Sequence, residues 1–361
     1  MARISLITNV LLFACSVVAQ DKPADLTKKV KVFLLLGQSN MVGLGKVTGS
    51  DIALEHAVKE KKQYPYLLDE AGNWAERKDV RFARVMSGRG GGMQRLNNEW
   101  MTVRTCTTIG PEFGIAKWVG DALEEPVLIL KSCIGNRSLG WDLLPPGSER
   151  YEFVSKDKTG VEKTMIHAGY KDRPDAWEMD QAKGLLTEPP PWLDKKTGKP
   201  IDWYAGKQWD DDIAYAKTVL SELEEHYPGA KGYEVVGFFF WQGEKDAGNA
   251  GHAARYERNL VHFIKQVRSE FAAPTAKFVL ATMGESEKGV GGNGGMILDA
   301  QLAVDGTSGK HPEFRGNVAT IYTHPMAQGG SGNGHYGGKA EVYMDVGEAM
   351  GKAMVELLKS K

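Results

Sequence analysis

Cysteine is scarce: Cys15, Cys106 and Cys133 are the three in 361 residues. No Cys-x-x-Cys pair and no His-Glu-x-x-His run occurs, so the spacings that mark a zinc site in sequence are missing. Charge of either sign is not in excess: 45 Lys and Arg stand against 46 Asp and Glu. That balance offers no basic footprint for nucleic acid and no acidic tract of a disordered tail. No apolar run reaches the roughly 20 residues of a membrane-spanning helix. Internal repeats and low-complexity tracts are also lacking. What is present is ordinary globular composition, 42% hydrophobic and 25% charged. The partner expected from charge alone is a small or neutral molecule.

The N-terminus differs from the rest. Ala2 and Arg3 lead into a mostly apolar stretch from Ile4 to Val18, and Val17-Val18-Ala19 precedes Gln20. One positive charge, a short apolar segment and a small residue before a charged, lysine-rich stretch read as a signal peptide over residues 1–19. The expected location is then secreted or periplasmic. A second reading takes Leu12-Phe13-Ala14-Cys15 as a lipoprotein cleavage site. Export permits a disulfide between Cys106 and Cys133, and two free thiols are the alternative.

Five short runs rich in Val, Ile, Leu and Phe look like buried parallel strands: Lys31 to Gly37, Pro126 to Ser132, Glu234 to Trp241, Lys277 to Met283 and Val318 to Thr323. Between and after them, Phe113 to Glu124, Asp210 to His226, Ala253 to Phe271 and Gly338 to Lys359 place apolar residues on one helical face. The alternation predicts an α/β sheet covered by helices on both sides. Two stretches break it, about 44–108 and 139–209. The second holds Trp141, Trp177, Trp192, Trp203 and Trp209. Both read as insertions on a single domain spanning 28–361. The tryptophans suit either stacking on sugar rings or a small core for a large loop.

Polar groups follow the ends of three of these strands. Gly37-Gln38-Ser39-Asn40-Met41 follows the first strand, where open α/β sheets bind ligands. A serine there is a candidate nucleophile, or simply a helix cap. Trp241-Gln242-Gly243-Glu244-Lys245-Asp246 ends the third strand, offering an amide for an oxyanion and carboxylates to orient an imidazole. Gly332-Asn333-Gly334-His335-Tyr336-Gly337-Gly338 follows the fifth and supplies a candidate base, with His324 as the alternative. Glu112 stands in the first turn of a predicted helix, where its expected role is favourable interaction with the dipole.

Those three blocks, with Gly110-Pro111-Glu112-Phe113-Gly114 and Cys133-Ile134-Gly135-Asn136-Arg137-Ser138-Leu139, resemble the SGNH hydrolases. The resemblance is to the branch of carbohydrate esterase family six and the sialate O-acetylesterases, and it spans residues 31–361 apart from the insertions. It implies a three-layer α/β/α flavodoxin-like fold with a parallel five-stranded sheet. It also implies hydrolysis of O-acetyl esters on an oligo- or polysaccharide, acetylxylan- or sialate-type, with no metal and no cofactor. Carried over by residue, Ser39 is the nucleophile and His335 the base. The oxyanion hole is the backbone N–H of Ser39, an N–H near Gly135 or Asn136, and the Gln242 side chain. Asn40, Arg137 and Trp241 are candidates for substrate contact. Two positions depart from the pattern. Gly332 stands where many such enzymes carry the triad Asp, so Glu244 is taken as the acid, with Asp246 second. Asn136 stands where a glycine is usual. A lipase or thioesterase of the same fold is the alternative enzyme, and a sugar-binding protein without catalysis is the alternative outside enzymes.

Overall fold

The computed structural model describes residues 23–88, 91–156, 159–328 and 330–360. The leader at 1–19 and Cys15 lie outside the described residues. The strands are β1 (Val30–Gly37), β2 (Gly45–Lys46), β3 (Glu76–Ser87), β4 (Met93–Thr102), β5 (Thr108–Ile109), β6 (Val127–Ser132), β7 (Tyr151–Lys156), β8 (Glu162–His167), β9 (Ala176–Glu178), β10 (Tyr233–Trp241), β11 (Lys277–Ala281) and β12 (Val318–Ile321). The α-helices are α1 (Ser39–Val42), α2 (Leu54–Lys59), α3 (Glu112–Ala122), α4 (Lys207–Ser221), α5 (Leu223–His226), α6 (Glu244–Ala247), α7 (Ala250–Glu270), α8 (Gly292–Ala303) and α9 (Ala340–Lys359).

The central sheet runs β12-β11-β10-β1-β6-β3-β4. All its pairs are parallel except β3 with β4. The five expected strands stand side by side as β12, β11, β10, β1 and β6. The expected count of five is nevertheless too low, because the first insertion adds β3 and β4 along the β6 edge. β3 escapes an apolar-run search because Glu76-Arg77-Lys78-Asp79 and Arg81 interrupt it. Part of that charge is buried as an ion pair: Arg77 Nε donates to Asp79 at 2.9 Å, and Nη2 to Asp121 at 2.9 Å.

Side chains alternate across β1. Val30, Val32, Leu34 and Leu36 join one core with residues of α4, α7 and α8. Phe33 and Leu35 join a second core with α3 and α9. Covering both faces explains why these strands read as unbroken apolar runs. Each such side chain buried contributes about 1.5–3 kcal/mol. The helix α8 was not anticipated, since Gly291-Gly292-Asn293-Gly294-Gly295 reads as loop. The second insertion forms a three-stranded sheet β7-β8-β9. Its small core includes Leu144, Ile166 and Trp177. Cys106 and Cys133 are both free thiols.

The register sets the carboxyl ends level. Gly37 pairs with Trp241, Trp241 with Ala281, and Ala281 with Ile321. The loops that follow these strands therefore open on one edge of the sheet.

Candidate active site

β1 ends at Gly37 with φ 143, and a Cβ there would lie 2.3 Å from the Trp241 carbonyl oxygen. Only glycine lets the two strand ends approach so closely. The chain then enters α1 with Ser39 as its first, partly exposed residue and Asn40 and Met41 buried behind it. Gly135, in the loop after β6, packs on Ser39: a Cβ at 135 would stand 3.4 Å from the Ser39 Cβ. Asn136 has φ 59. Asparagine is among the few residues that take this left-handed conformation readily, so the loop keeps a backbone that glycine would otherwise supply.

Glu244 binds both neighbours of Ser39. One carboxylate oxygen accepts from Gln38 Nε2 and the other from Asn40 Nδ2, the latter at 2.7 Å. Burial and, after it, the nearby Glu285 carboxylate push Glu244 up to about 7. Among the described residues no hydrogen bond joins Glu244 to the His335 ring; its contacts hold the serine turn.

Three expected contacts are corrected by this geometry. Asn40 is fully buried; its Nδ2 also donates to the Gly332 carbonyl at 3.0 Å and its Oδ1 accepts from Tyr343 at 3.2 Å. It is spent inside the protein and does not meet substrate. Trp241 is likewise buried, donating Nε1 to the Thr282 carbonyl at 3.1 Å and stacking on Tyr336 at 5.9 Å. Gln242 cannot serve an oxyanion: its Nε2 donates to the Arg137 carbonyl at 2.9 Å and to Asp246 Oδ2 at 2.5 Å, while Oε1 accepts from Tyr256 at 2.7 Å. Every hydrogen of the amide is used. Asp246, the second choice for the acid, is buried and accepts from the backbone N–H groups of Leu139 and Gly140 at 2.8 and 2.7 Å. It pins the loop that leads into the second insertion.

His335 and Tyr336 both have positive φ, 53 and 51. Tyr343 donates to the His335 carbonyl at 3.4 Å, and Tyr336 is packed between Trp241 and Tyr343. His335 is partly exposed. His324, the alternative base, has Nδ1 bound to the Gly284 carbonyl at 2.8 Å and does not line the cleft. An aspartate at 332 would meet two carboxylates and could enter only if they moved aside. A Cβ there would lie 2.1 Å from Glu285 Oε2 and 2.9 Å from Glu244 Oε1. Glu285 follows β11 and was not foreseen; no sequence pattern surrounds it.

Ser39, Gly135, Asn136, Arg137, Glu244 and His335 line one open cleft of about 720 Å³. Trp141 and Asp142 of the second insertion, Lys245 of α6 and Asn249 just before α7 complete its wall. Arg137 stacks 4.2 Å over the Trp203 ring, with Nη1 3.6 Å from Asp142. The tryptophans divide between the two expected roles. Trp141 faces the cleft, buttressed edge-on by Trp192 at 5.1 Å, whereas Trp177 and Trp209 are buried. Glu112 is no solvated helix-end charge: it forms a buried pair with Lys131 at 2.9 Å, and Lys131 also donates to the Val42 carbonyl at 2.8 Å.

Residues 196–356 match the family model for carbohydrate esterase, sialic acid-specific acetylesterase. This is the sialate O-acetylesterase-like branch that the sequence blocks resemble. The matched span includes Glu244, Glu285 and His335; Ser39 and Gly135 precede it. Members of that family are carboxylic ester hydrolases, and the match supports action on O-acetyl groups of a carbohydrate. No curated protein matches the sequence. Among solved structures, a protein of Arabidopsis thaliana aligns over 92% of this chain and 100% of its own, with 14% identity and a TM-score of 0.46. A carbohydrate acetylesterase from Xanthomonas citri aligns over 89% of this chain with 13% identity and a TM-score of 0.45, and the chain spans only 54% of its length. NanS aligns over 72% of this chain and 68% of its own, with 11% identity and a TM-score of 0.36. Among the described residues, no helix is long and apolar enough to cross a membrane.

Proposed function

We propose that this protein removes acetyl groups from an O-acetylated carbohydrate by a serine mechanism centred on Ser39 and His335. The observation that carries the reading is that Ser39, His335 and the Gly135–Asn136 backbone, from three distant segments, line a single cleft. In this reading Ser39 Oγ attacks the acetyl carbonyl carbon while His335 accepts its proton. Charge on the carbonyl oxygen is taken by the backbone N–H of Ser39 and an N–H of the 135–136 loop, each worth about 3 kcal/mol of barrier. Collapse of the intermediate expels the sugar oxygen, which takes the proton back from His335. Water then attacks the acetyl-serine with His335 again as base, releasing acetate. Glu244 is a positioning residue: it fixes Gln38 and Asn40, and through them the serine between.

The domain reading belongs to this proposal as well: one flavodoxin-like SGNH esterase domain over 28–361, interrupted at about 44–108 and 139–209, and exported behind the leader at 1–19. Charged and hydrogen-bonding side chains interspersed with the apolar face of Trp141 suit a sugar better than the long acyl chain of a lipase or thioesterase substrate. Turnover of para-nitrophenyl acetate tests the core of it. Ser39→Ala should lose activity by on the order of 10⁴-fold or more. Equal turnover by Ser39→Ala and wild type would refute the mechanism. Acetate release from acetylated xylan, O-acetylated sialic acid and acetylated pectin then separates the candidate glycans.

A further inference from the structure

At the edge of the same cleft, reached by two of its three members, lies a second cluster that the ester chemistry does not use. His167 ends β8, Asp175 precedes β9, and His252 lies in the first turn of α7. One donor atom from each lies within 4.8 Å of the others. His252 Nε2 is 2.7 Å from Asp175 Oδ1. The two histidines are only 4% and 3% exposed. The Nδ1 atom of each is buried with no hydrogen-bond partner. Buried imidazole nitrogens are ordinarily satisfied, and the orphan on His167 calls for a missing partner. The closest charge to His252 Nδ1 is Asp246 Oδ1, at 3.7 Å. Asp175 is partly exposed, and both Asp175 and His252 line the cleft.

We infer that His167, Asp175 and His252 form a zinc site on the wall of the cleft. Two imidazoles and one carboxylate suit Zn²⁺, whereas Ca²⁺ and Mg²⁺ require more oxygen ligands. Ligand atoms on tetrahedral zinc stand roughly 3.3 Å apart, so the His167 ring closes by no more than about 1.5 Å to complete the set. Asp175 contributes one negative charge and Asp246 a second behind His252, together matching the ion's charge. The Asp246 carboxylate also has the place of an outer partner that orients a ligating histidine. The ion would join β8 and the segment before β9 to α7, fixing the second insertion against the core. This runs against the sequence reading, which found no metal spacing: the His252–Asp175 contact bridges 77 positions. The competing account is that a proton alone joins His252 and Asp175, and it needs no metal.

The test uses the full chain, stripped with chelator and dialysed against zinc chloride, with bound metal measured by mass spectrometry and affinity by titration calorimetry. One zinc per chain is expected in wild type. His167→Phe and Asp175→Asn should weaken binding at least about 100-fold, more than loss of an outer partner does. Circular dichroism confirms that each variant is folded, and the partly exposed Asp175 keeps the test usable where His167→Phe fails to fold. Cobalt(II) in place of zinc should give the visible absorption of a tetrahedral site in wild type alone. No stoichiometric zinc, or equal binding by wild type and Asp175→Asn, overturns the assignment.

Discussion

Replacing Glu244 with glutamine removes a charge from beneath the serine turn without changing side-chain size. Glu244 is partly buried, and its carboxyl is pushed from 4.5 to about 7, first by burial and then by Glu285. A displacement of that size is worth about 3 kcal/mol. Between these two values the folded protein holds a proton that the unfolded chain has lost. The contribution is therefore fully present below pH 4.5 and disappears as pH rises through 7. Raising the pH from 5 to 8 should cost wild type up to about 3 kcal/mol through this residue. In Glu244→Gln that component is absent, so the loss between pH 5 and pH 8 should shrink by about that amount. Urea unfolding of both proteins at the two pH values measures the difference, and titrations common to both cancel. The glutamine can accept from only one of Gln38 and Asn40, which leaves one amide poorly satisfied at a cost of about 1–3 kcal/mol. Turnover of para-nitrophenyl acetate should fall in kcat more than in KM, as the turn bearing Ser39 loosens. Identical pH dependence of stability in the two proteins would refute the reasoning.

Three further substitutions follow from the site's supports. Lys131→Met strands the buried Glu112 carboxylate and should lower stability by about 3–5 kcal/mol, with Lys131→Met/Glu112→Gln recovering much of it in chemical denaturation. Asn136→Val places a β-branched residue at φ 59 and should cost about 1–2 kcal/mol and reduce kcat, while Asn136→Gly stays near wild type. Gly332→Asp should destabilise the protein and restore no activity. It should be tolerated better in a Glu285→Ala background, which a double-mutant cycle in thermal unfolding reads directly.

The legible part of this molecule is the part whose burial is symmetrical. β1, β6, β10, β11 and β12 are covered on both faces, so their sequences are apolar without interruption and declare themselves. Ser39 and His335 follow such strands, and the cleft contains both. β3 was hidden because a strand toward the sheet edge carries charge, some of it, as in Arg77 and Asp79, folded inward as a pair. Gln242, Asn40 and Trp241 were placed at the right sheet edge but on the wrong side of it. Sequence order gives the loop to which a polar residue belongs; it does not give the partners that use up its hydrogens. Gln242 is disqualified as an oxyanion donor by Arg137 and Asp246, residues supplied by other segments. His167, Asp175 and His252 meet only because the second insertion folds back on α7, and no short spacing encodes that.

The empty Cβ position at Gly332 shows how the acid side of the site is organised. In the family pattern one short segment carries both acid and base, so the carboxylate is placed by the loop that places the imidazole. Here two carboxylates arrive from other strands, Glu244 after β10 and Glu285 after β11, and crowd the space that an aspartate at 332 would need. Burial first, and then repulsion from Glu285, lifts Glu244. The Gly332 carbonyl in turn accepts from Asn40, so the loop bearing the base is tied to the residue after the nucleophile. Glu244 accepts from that same asparagine. The 332–335 loop, the serine turn and Glu244 thus share one amide. A carboxylate placed to hold that junction acts on the serine's geometry as directly as on any proton. Glycine at 332 leaves both carboxylates where they stand, whereas a side chain there would push their tips aside.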